Sequence, residues 1–218
     1  MNEEIFISRQ ISKYATTKKL IELNDKMRLA PIEYYGHVQA TGDKNQEGKN
    51  VTSLIGITML DYSKGTGDKT VSVEANVTPD ELMYIFSKLN QGAEKFEMNQ
   101  EKIFGEPDAS GKCNVTKLKI IRIGIDPAGN KRDYPWFIQI ENGKGIKAIN
   151  STSGGSYIKP KSYTEEAKVY ININDFDMFK LLSRAQSFIN AWEMTYAPQR
   201  IKRAKEIMFN NLKEATGK

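Results

Sequence analysis

The chain holds a single histidine, His37, and a single cysteine, Cys113, and that scarcity bounds its chemistry. With one histidine the sequence assembles neither a serine or cysteine triad built on a histidine base nor a histidine-rich metal site. His37, beside Tyr35, reads as a sheet-surface residue. Cys113 sits in a polar loop and reads as an ordinary thiol, and a lone cysteine excludes an internal disulfide or a cysteine zinc cluster. The carboxylates Asp80 and Glu81 recur as Asp175 and Asp177 at matching places. Metal-dependent nuclease chemistry would need further acidic groups converging from strands, whereas helix N-termini attract acidic side chains electrostatically, so capping accounts for these four. Gly65-Thr66-Gly67-Asp68-Lys69 and Gly143-Lys144-Gly145 lack the spacing of a phosphate-binding loop and read as hairpin turns. The reading is of a non-enzyme with no cofactor and no metal.

Aromatic and basic residues point elsewhere. Tyr34, Tyr35, Tyr62, Tyr134, Trp136, Phe137 and Tyr170 fall in or beside candidate strands, and Tyr170 takes the polar parity of a cleanly alternating one, flanked by Lys168 and Asn172. Lys117, Lys119 and Arg122 share another strand of the same half. Aromatic rings interleaved with lysines on a solvated sheet hold single-stranded nucleic acid, by base stacking plus attraction to phosphates. The expected contacts are Lys117, Lys119, Arg122, Lys144 and Lys168 for phosphates, and Tyr134, Trp136 and Tyr170 for bases. Aromatics also suit strands for packing alone.

The elements that must position these residues follow from periodicity. Residues 9–29 carry a loose helical pattern (Ile11, Tyr14, Ala15, Leu20, Ile21, Leu23, Met27, Leu29) ending before Pro31. Strands are expected over Ile32–Ala40, Val51–Tyr62 and Thr70–Val77. A helix follows, announced by Thr78, Pro79 and Glu81 in capping-box spacing, with Leu82, Ile85, Phe86 and Leu89 inward and Gly92 as its stop. The second half offers strands over Phe96–Phe104, Thr116–Asp126, Tyr134–Glu141 and Lys168–Ile173, with a glycine-rich loop-like stretch before the last of them. Asn174 then caps a helix bearing Phe179, Leu182, Ala185, Ile189 and Trp192. Pro198 is expected to open a separate last helix, with Ile201, Ala204, Met208 and Leu212 inward and Arg200, Lys202, Arg203 and Lys205 outward.

Residues 73–88 and 169–184 repeat one order of signals 96 residues apart: an alternating strand, a cap, a helical stripe. The fold class is therefore α+β, with two repeats of a curved antiparallel sheet followed by a helix and extra helices at both ends. The expected organisation is a single pseudo-twofold domain: a helical extension over 1–30, repeats over 31–92 and 93–193, and a basic helix over 194–218. At 218 residues the chain can bury a real core. No apolar run nears the ~20 residues of a membrane helix, and a cytoplasmic location is the default expectation. The net charge of +5 favours anionic partners. Seven of 32 basic residues are arginine, and lysine suits sequence-blind phosphate attraction better than base reading. An AT-rich genome would write the same lysines.

A repeated unit of antiparallel strands followed by one helix resembles the Whirly-type fold over residues 32–192. The resemblance implies single-stranded nucleic acid bound on the sheets and assembly into homo-oligomers. The plant family's lysine-glycine-lysine-alanine motif has no counterpart here, so no residue role is carried over. The lysine-, isoleucine- and asparagine-rich style is similar to that of plasmid and phage proteins. Single-stranded nucleic-acid binding is the leading expectation. The alternatives are an accessory subunit of a replication or conjugation apparatus, docking through its basic last helix, and a metal-dependent nuclease.

Overall fold

The computed structural model describes residues 7–32, 37–45, 47–152 and 154–216. The chain begins with a hairpin, β1 (Gln10–Ala15) and β2 (Lys19–Lys26), followed by a small hairpin of β3 (Thr41–Lys44) and β4 (Asn50–Thr52). Next come β5 (Leu54–Asp61), β6 (Val71–Val77) and helix α1 (Pro79–Asn90). The second half runs β7 (Lys95–Phe104), β8 (Cys113–Ile123), β9 (Trp136–Gly145), a hairpin of β10 (Lys147–Ile149) and β11 (Ser156–Ile158), then β12 (Thr164–Ile173) and helix α2 (Asp175–Thr216). Two four-stranded antiparallel sheets result, ordered β1-β2-β5-β6 and β12-β9-β8-β7. Each is a meander interrupted by one two-stranded hairpin and followed by one helix.

The helix expected over residues 9–29 is instead the β1–β2 hairpin. Its turn is tied by the Thr16 hydroxyl, which accepts from the Lys19 amide at 3.0 Å. Alternation is hard to read there because Ser12 takes a core position, 3% exposed. Its hydroxyl donates to the Leu181 carbonyl of α2 at 2.9 Å, which satisfies the buried group. The strand expected over Ile32–Ala40 lies partly outside the described residues, Tyr34 and Tyr35 included. Its described end shows only a Leu29–Gln39 bridge.

Around α1 the expectations hold. The Thr78 hydroxyl accepts from the Glu81 amide at 3.1 Å and the Glu81 carboxylate accepts from the Thr78 amide at 2.7 Å, which closes a capping box. At α2 the Asn174 side chain accepts from the Asp177 amide at 2.7 Å. Pro198 does not open a new helix: α2 continues through it. A mid-helix proline costs about 3 kcal/mol, and tertiary contacts on both sides hold the helix past it. Gln39 donates to Glu193, Arg200 Nη2 donates to the Pro31 carbonyl at 2.6 Å, and Ala204 is buried. Met208 and Leu212, expected inward, are 54% and 61% exposed.

Gly143-Lys144-Gly145 is strand, not turn. The Thr164 carbonyl oxygen lies 2.2 Å from where a Cβ on Gly143 would stand, so only glycine allows β12 this close. One apolar core joins both sheets and both helices, from Ile21, Leu23 and Met59 to Leu118, Ile138 and Leu182. The packing is reciprocal: β6 lies against β8 and β9, while β12 lies against β2 and β5. Helix α2 packs on β1, and α1 meets β7 through Tyr84 against Phe96 and through Gln100 donating to Glu81. No helix among the described residues is long and apolar enough to cross a membrane.

Candidate nucleic-acid interface

The second sheet has an inner face that builds the core and an outer face with three zones. Register sorts its residues. Leu118, Ile120 and Arg122 of β8 align with Ile140, Ile138 and Trp136 of β9, and with Val169, Ile171 and Ile173 of β12, all pointing inward. The opposite parity points out. At the end near the β10–β11 hairpin, outward Cys113 and Val115 are covered, 0% and 1% exposed.

The middle zone is a row of alternating charge across four strands: Glu101, Lys117, Glu141, Lys168. Lys117 pairs with Glu101 at 2.9 Å and Lys168 with Glu141 at 2.6 Å. Lys117 Nζ also lies 4.2 Å from the centre of the Tyr163 ring. Burial, together with the Glu141, Glu165 and Glu101 carboxylates, pushes the Tyr163 hydroxyl up to about 12. The hydrogen bond that Lys168 donates to Glu141, with the Glu141 and Glu165 charges, holds Lys168 above the usual lysine range. Charges so closely matched cancel at a distance, leaving this row little net attraction for a phosphate chain.

The third zone, toward the β8–β9 loop, is different. Its two rows read Glu97, Ile121, Phe137, Asn172 and Asn99, Lys119, Gln139, Tyr170. Tyr170 is 47% exposed and stacks on Phe137, with ring centres 5.7 Å apart and planes 27° apart. Lys19, arriving from the first sheet, donates to the Tyr170 carbonyl at 2.8 Å and places Nζ 3.6 Å from the centre of its ring. That donation also covers part of the open edge of β12. A cleft of about 320 Å³ opens there, lined by Tyr14, Thr16, Lys19, Tyr134 and Tyr170. Burial, with the charges of Asp177 and Tyr134 next, raises the Tyr14 pKa, so its ring stays neutral.

Of the eight contacts expected from sequence, Tyr134, Tyr170 and Lys119 gather in this zone, Lys119 with a loose ion pair to Glu97 at 3.7 Å. Lys117 and Lys168 stand in the charge-matched row. Lys144 lies toward the covered end, donating to Asn114 at 2.8 Å and facing Asp108 at 3.7 Å. Trp136 and Arg122 present no free group to a ligand. Trp136 is 0% exposed and its indole N–H donates to Asp175 at 2.8 Å. Arg122 is 7% exposed, donates twice to Asp175 at 3.2 and 2.9 Å, and donates again to the Ala93 carbonyl. Burial pushes the Asp175 carboxyl up, but the hydrogen bonds from Arg122 and Trp136 and the charges of Arg122 and Lys131 outweigh it and hold it below the usual range.

Sequence reasoning passes over Lys19 and Tyr14 because the stretch holding them reads as helix. Among the described residues no three His, Cys, Asp or Glu side chains gather as a metal group would need. Three of the four helix-start acids are engaged: Glu81 in the capping box, Asp175 as above, and Asp177 with Lys180 at 2.5 Å, while Asp80 is exposed. No protein family, characterised protein or solved structure matches the chain.

Proposed function

We propose that the chain is a non-enzymatic protein that binds single-stranded nucleic acid, with little regard to sequence, on the open zone of its second sheet. The observation that carries this is exposed Tyr170 stacked on partly buried Phe137, beside Lys19 and Lys119. Exposed rings accept any base, since every base has a flat face, and stacking is worth roughly 1–3 kcal/mol per base. A duplex keeps its bases paired inside and gains nothing from such rings.

We also read the fold as two copies of one Whirly-like unit, four meandering strands and a helix. The reading is supported by the 96-residue offset, which pairs Thr78 with Asn174 as caps and buried Val73, Ala75, Val77, Leu82 and Ile85 with buried Val169, Ile171, Ile173, Met178 and Leu181. The reciprocal packing of β6 and β12 supports it as well.

Fluorescence anisotropy with labelled single- and double-stranded oligonucleotides, at low and moderate salt, tests the function. Single strands should bind more tightly at both salts, and affinity should fall as salt rises. Equal affinity for duplex, or no binding of single strands at low salt, ends the proposal. A second reading, partner docking through the tail of α2, is favoured by exposed Met208, Phe209 and Leu212. It requires that substitutions there abolish capture of a partner while those at Tyr170 are silent.

A further inference from the structure

Beside the Tyr170–Phe137 stack, on the same outer face, lies a second and larger depression of about 860 Å³ beneath the β8–β9 loop. Ile121, Ile123, Ile125 and Pro127 supply its apolar surface. Ile121 stands opposite Phe137 in the sheet register, so the aromatic strip runs directly into this groove. Its volume lies within the roughly 300–1,000 Å³ typical of small-ligand pockets. Ile125 is 42% exposed, an apolar surface left open to water. Four cations line the groove, alongside the carboxylates of Glu94, Glu97 and Asp126, and one of the four, Arg122, is committed to Asp175. Lys119 is half-buried and shared with Glu97, whereas Lys95 and Arg132 are exposed and have no ion pair among the described residues. This contrasts with Lys117, Lys144 and Lys168, each facing a carboxylate within 4 Å.

We propose that this groove seats a nucleotide of the same single strand that stacks on Tyr170. Its base would lie on Ile121, Ile123 and Ile125, its phosphate would be held by Lys95 and Arg132, and the Glu101–Lys117–Glu141–Lys168 row would lie outside the footprint. The proposal rests on the single-strand reading and extends it to a second subsite. Geometry sets the footprint. From β12 to β7 is three strand spacings, about 14 Å, which at 3.4 Å per stacked nucleotide accommodates roughly four nucleotides. Lys19 already faces Asp61 at 3.5 Å and Lys119 faces Glu97 at 3.7 Å, so with Lys95 and Arg132 as the phosphate partners the slope of log affinity against log salt should be near −1.4, at about 0.7 per contact.

The test compares two double variants that each remove two positive charges, so a purely long-range effect would change both alike. Lys95→Gln with Arg132→Gln should make the slope shallower by about 1.4. Lys117→Gln with Lys168→Gln should leave it unchanged. Unaltered melting temperatures are expected for the first pair, whose side chains are exposed, and anisotropy with a poly-thymidine oligonucleotide is the readout. Equal slopes for the two variants, or a change confined to the Lys117 and Lys168 pair, overturn the subsite while leaving single-strand binding intact. Absence of binding by the unaltered protein removes both proposals together, so the two failures are told apart.

Discussion

The outer faces of the two sheets share a strand order and differ in chemistry. On the first sheet the outward residues of β1, β2, β5 and β6 include Gln10, Glu22, Asn24, Thr58, Glu74 and Asn76, and no aromatic. They are bonded to one another: Gln10 donates to Glu22 at 2.6 Å, Asn24 to Glu22 and to Thr58 at 3.1 Å each, and Lys26 to Asn76 at 2.9 Å. The Lys26 stem lies over Gly56, filling the space a side chain there would take. On the second sheet the open zone leaves ring faces, isoleucines and two unpaired cations facing water. A face whose polar groups satisfy one another offers little to a ligand, while one with exposed rings and free cations retains binding energy to spend outside the protein. Sheet architecture alone therefore does not distinguish the two faces. The outward parity of the second sheet, which carries the proposed interface, does.

The largest effect that would test this contrast is on affinity. Tyr170→Ala with Phe137→Ala removes two stacking faces and should weaken single-strand binding by roughly 2–4 kcal/mol, about 30- to 1,000-fold, measured by anisotropy titration. Leu20→Ala with Leu60→Ala, at paired outward positions of the first sheet, should leave affinity within about twofold. A comparable loss from both pairs would break the contrast between the faces.

A second effect concerns what holds the interface in place from behind. Asp175→Ala strands the Arg122 guanidinium, whose side chain is 8% exposed, and unties the Trp136 indole. Removing one partner of a buried pair is strongly destabilising; with Asp175 itself partly exposed, the expected cost is about 2–3 kcal/mol, a melting temperature lower by roughly 5–12 °C. Because the folded-state pKa of Asp175 is depressed, its contribution is complete above the unfolded value near 4 and disappears as pH falls through the folded one. Stability of the unaltered protein should therefore decline on acidification below about pH 4, and Asp175→Asn should flatten that decline in denaturant titrations.

The two helix starts make a smaller and paired comparison. Thr78→Ala and Asn174→Ala each remove a side-chain acceptor from an N3 amide and should cost about 1 kcal/mol apiece by chemical denaturation. Matched costs would sharpen the picture of two equivalent units. A large cost at one site and none at the other would count against it.

These comparisons also show what could be read in advance. The β6–α1 and β12–α2 junctions are legible because three independent signals, alternation, cap and helical stripe, agree in each. The first hairpin is not, because buried Ser12 interrupts the apolar alternation and its partner, the Leu181 carbonyl, lies 169 residues away. The break expected at Pro198 fails for a similar reason, since Arg200 bonding to Pro31 is a tertiary contact that local propensity does not contain. At the interface, parity is the usable signal. The alternation that turns Tyr170 outward against Val169 and Ile171 also turns Trp136 inward with Ile138 and Ile140, and Arg122 inward with Leu118 and Ile120. Residue type favours all of these as contacts, and only parity separates them. That Lys117 and Lys168 are neutralised depends on which glutamates stand opposite, and so on strand register.

The smallest expected effect bears on that neutralised row. Lys117 and Glu101 lie on adjacent strands at 2.9 Å, with side chains 29% and 57% exposed; Lys26 and Glu74, across the first sheet, stand at 3.5 Å with 33% and 62% exposed. Exposed cross-strand pairs couple by about 0.2–1 kcal/mol, and salt screens them. A double-mutant cycle with alanine at Lys117 and Glu101 should give a coupling near 0.5 kcal/mol at low salt, larger than the Lys26–Glu74 value. Lys117 has the closer carboxylate and the Tyr163 ring beneath its ammonium. Raising salt should shrink both couplings, the first-sheet pair nearly to zero. If the Lys117 coupling is absent at low salt, the carboxylates do not hold the lysines of this row, their charges are free to meet phosphates, and the boundary drawn between the charge-matched row and the open zone would have to move toward the middle of the sheet.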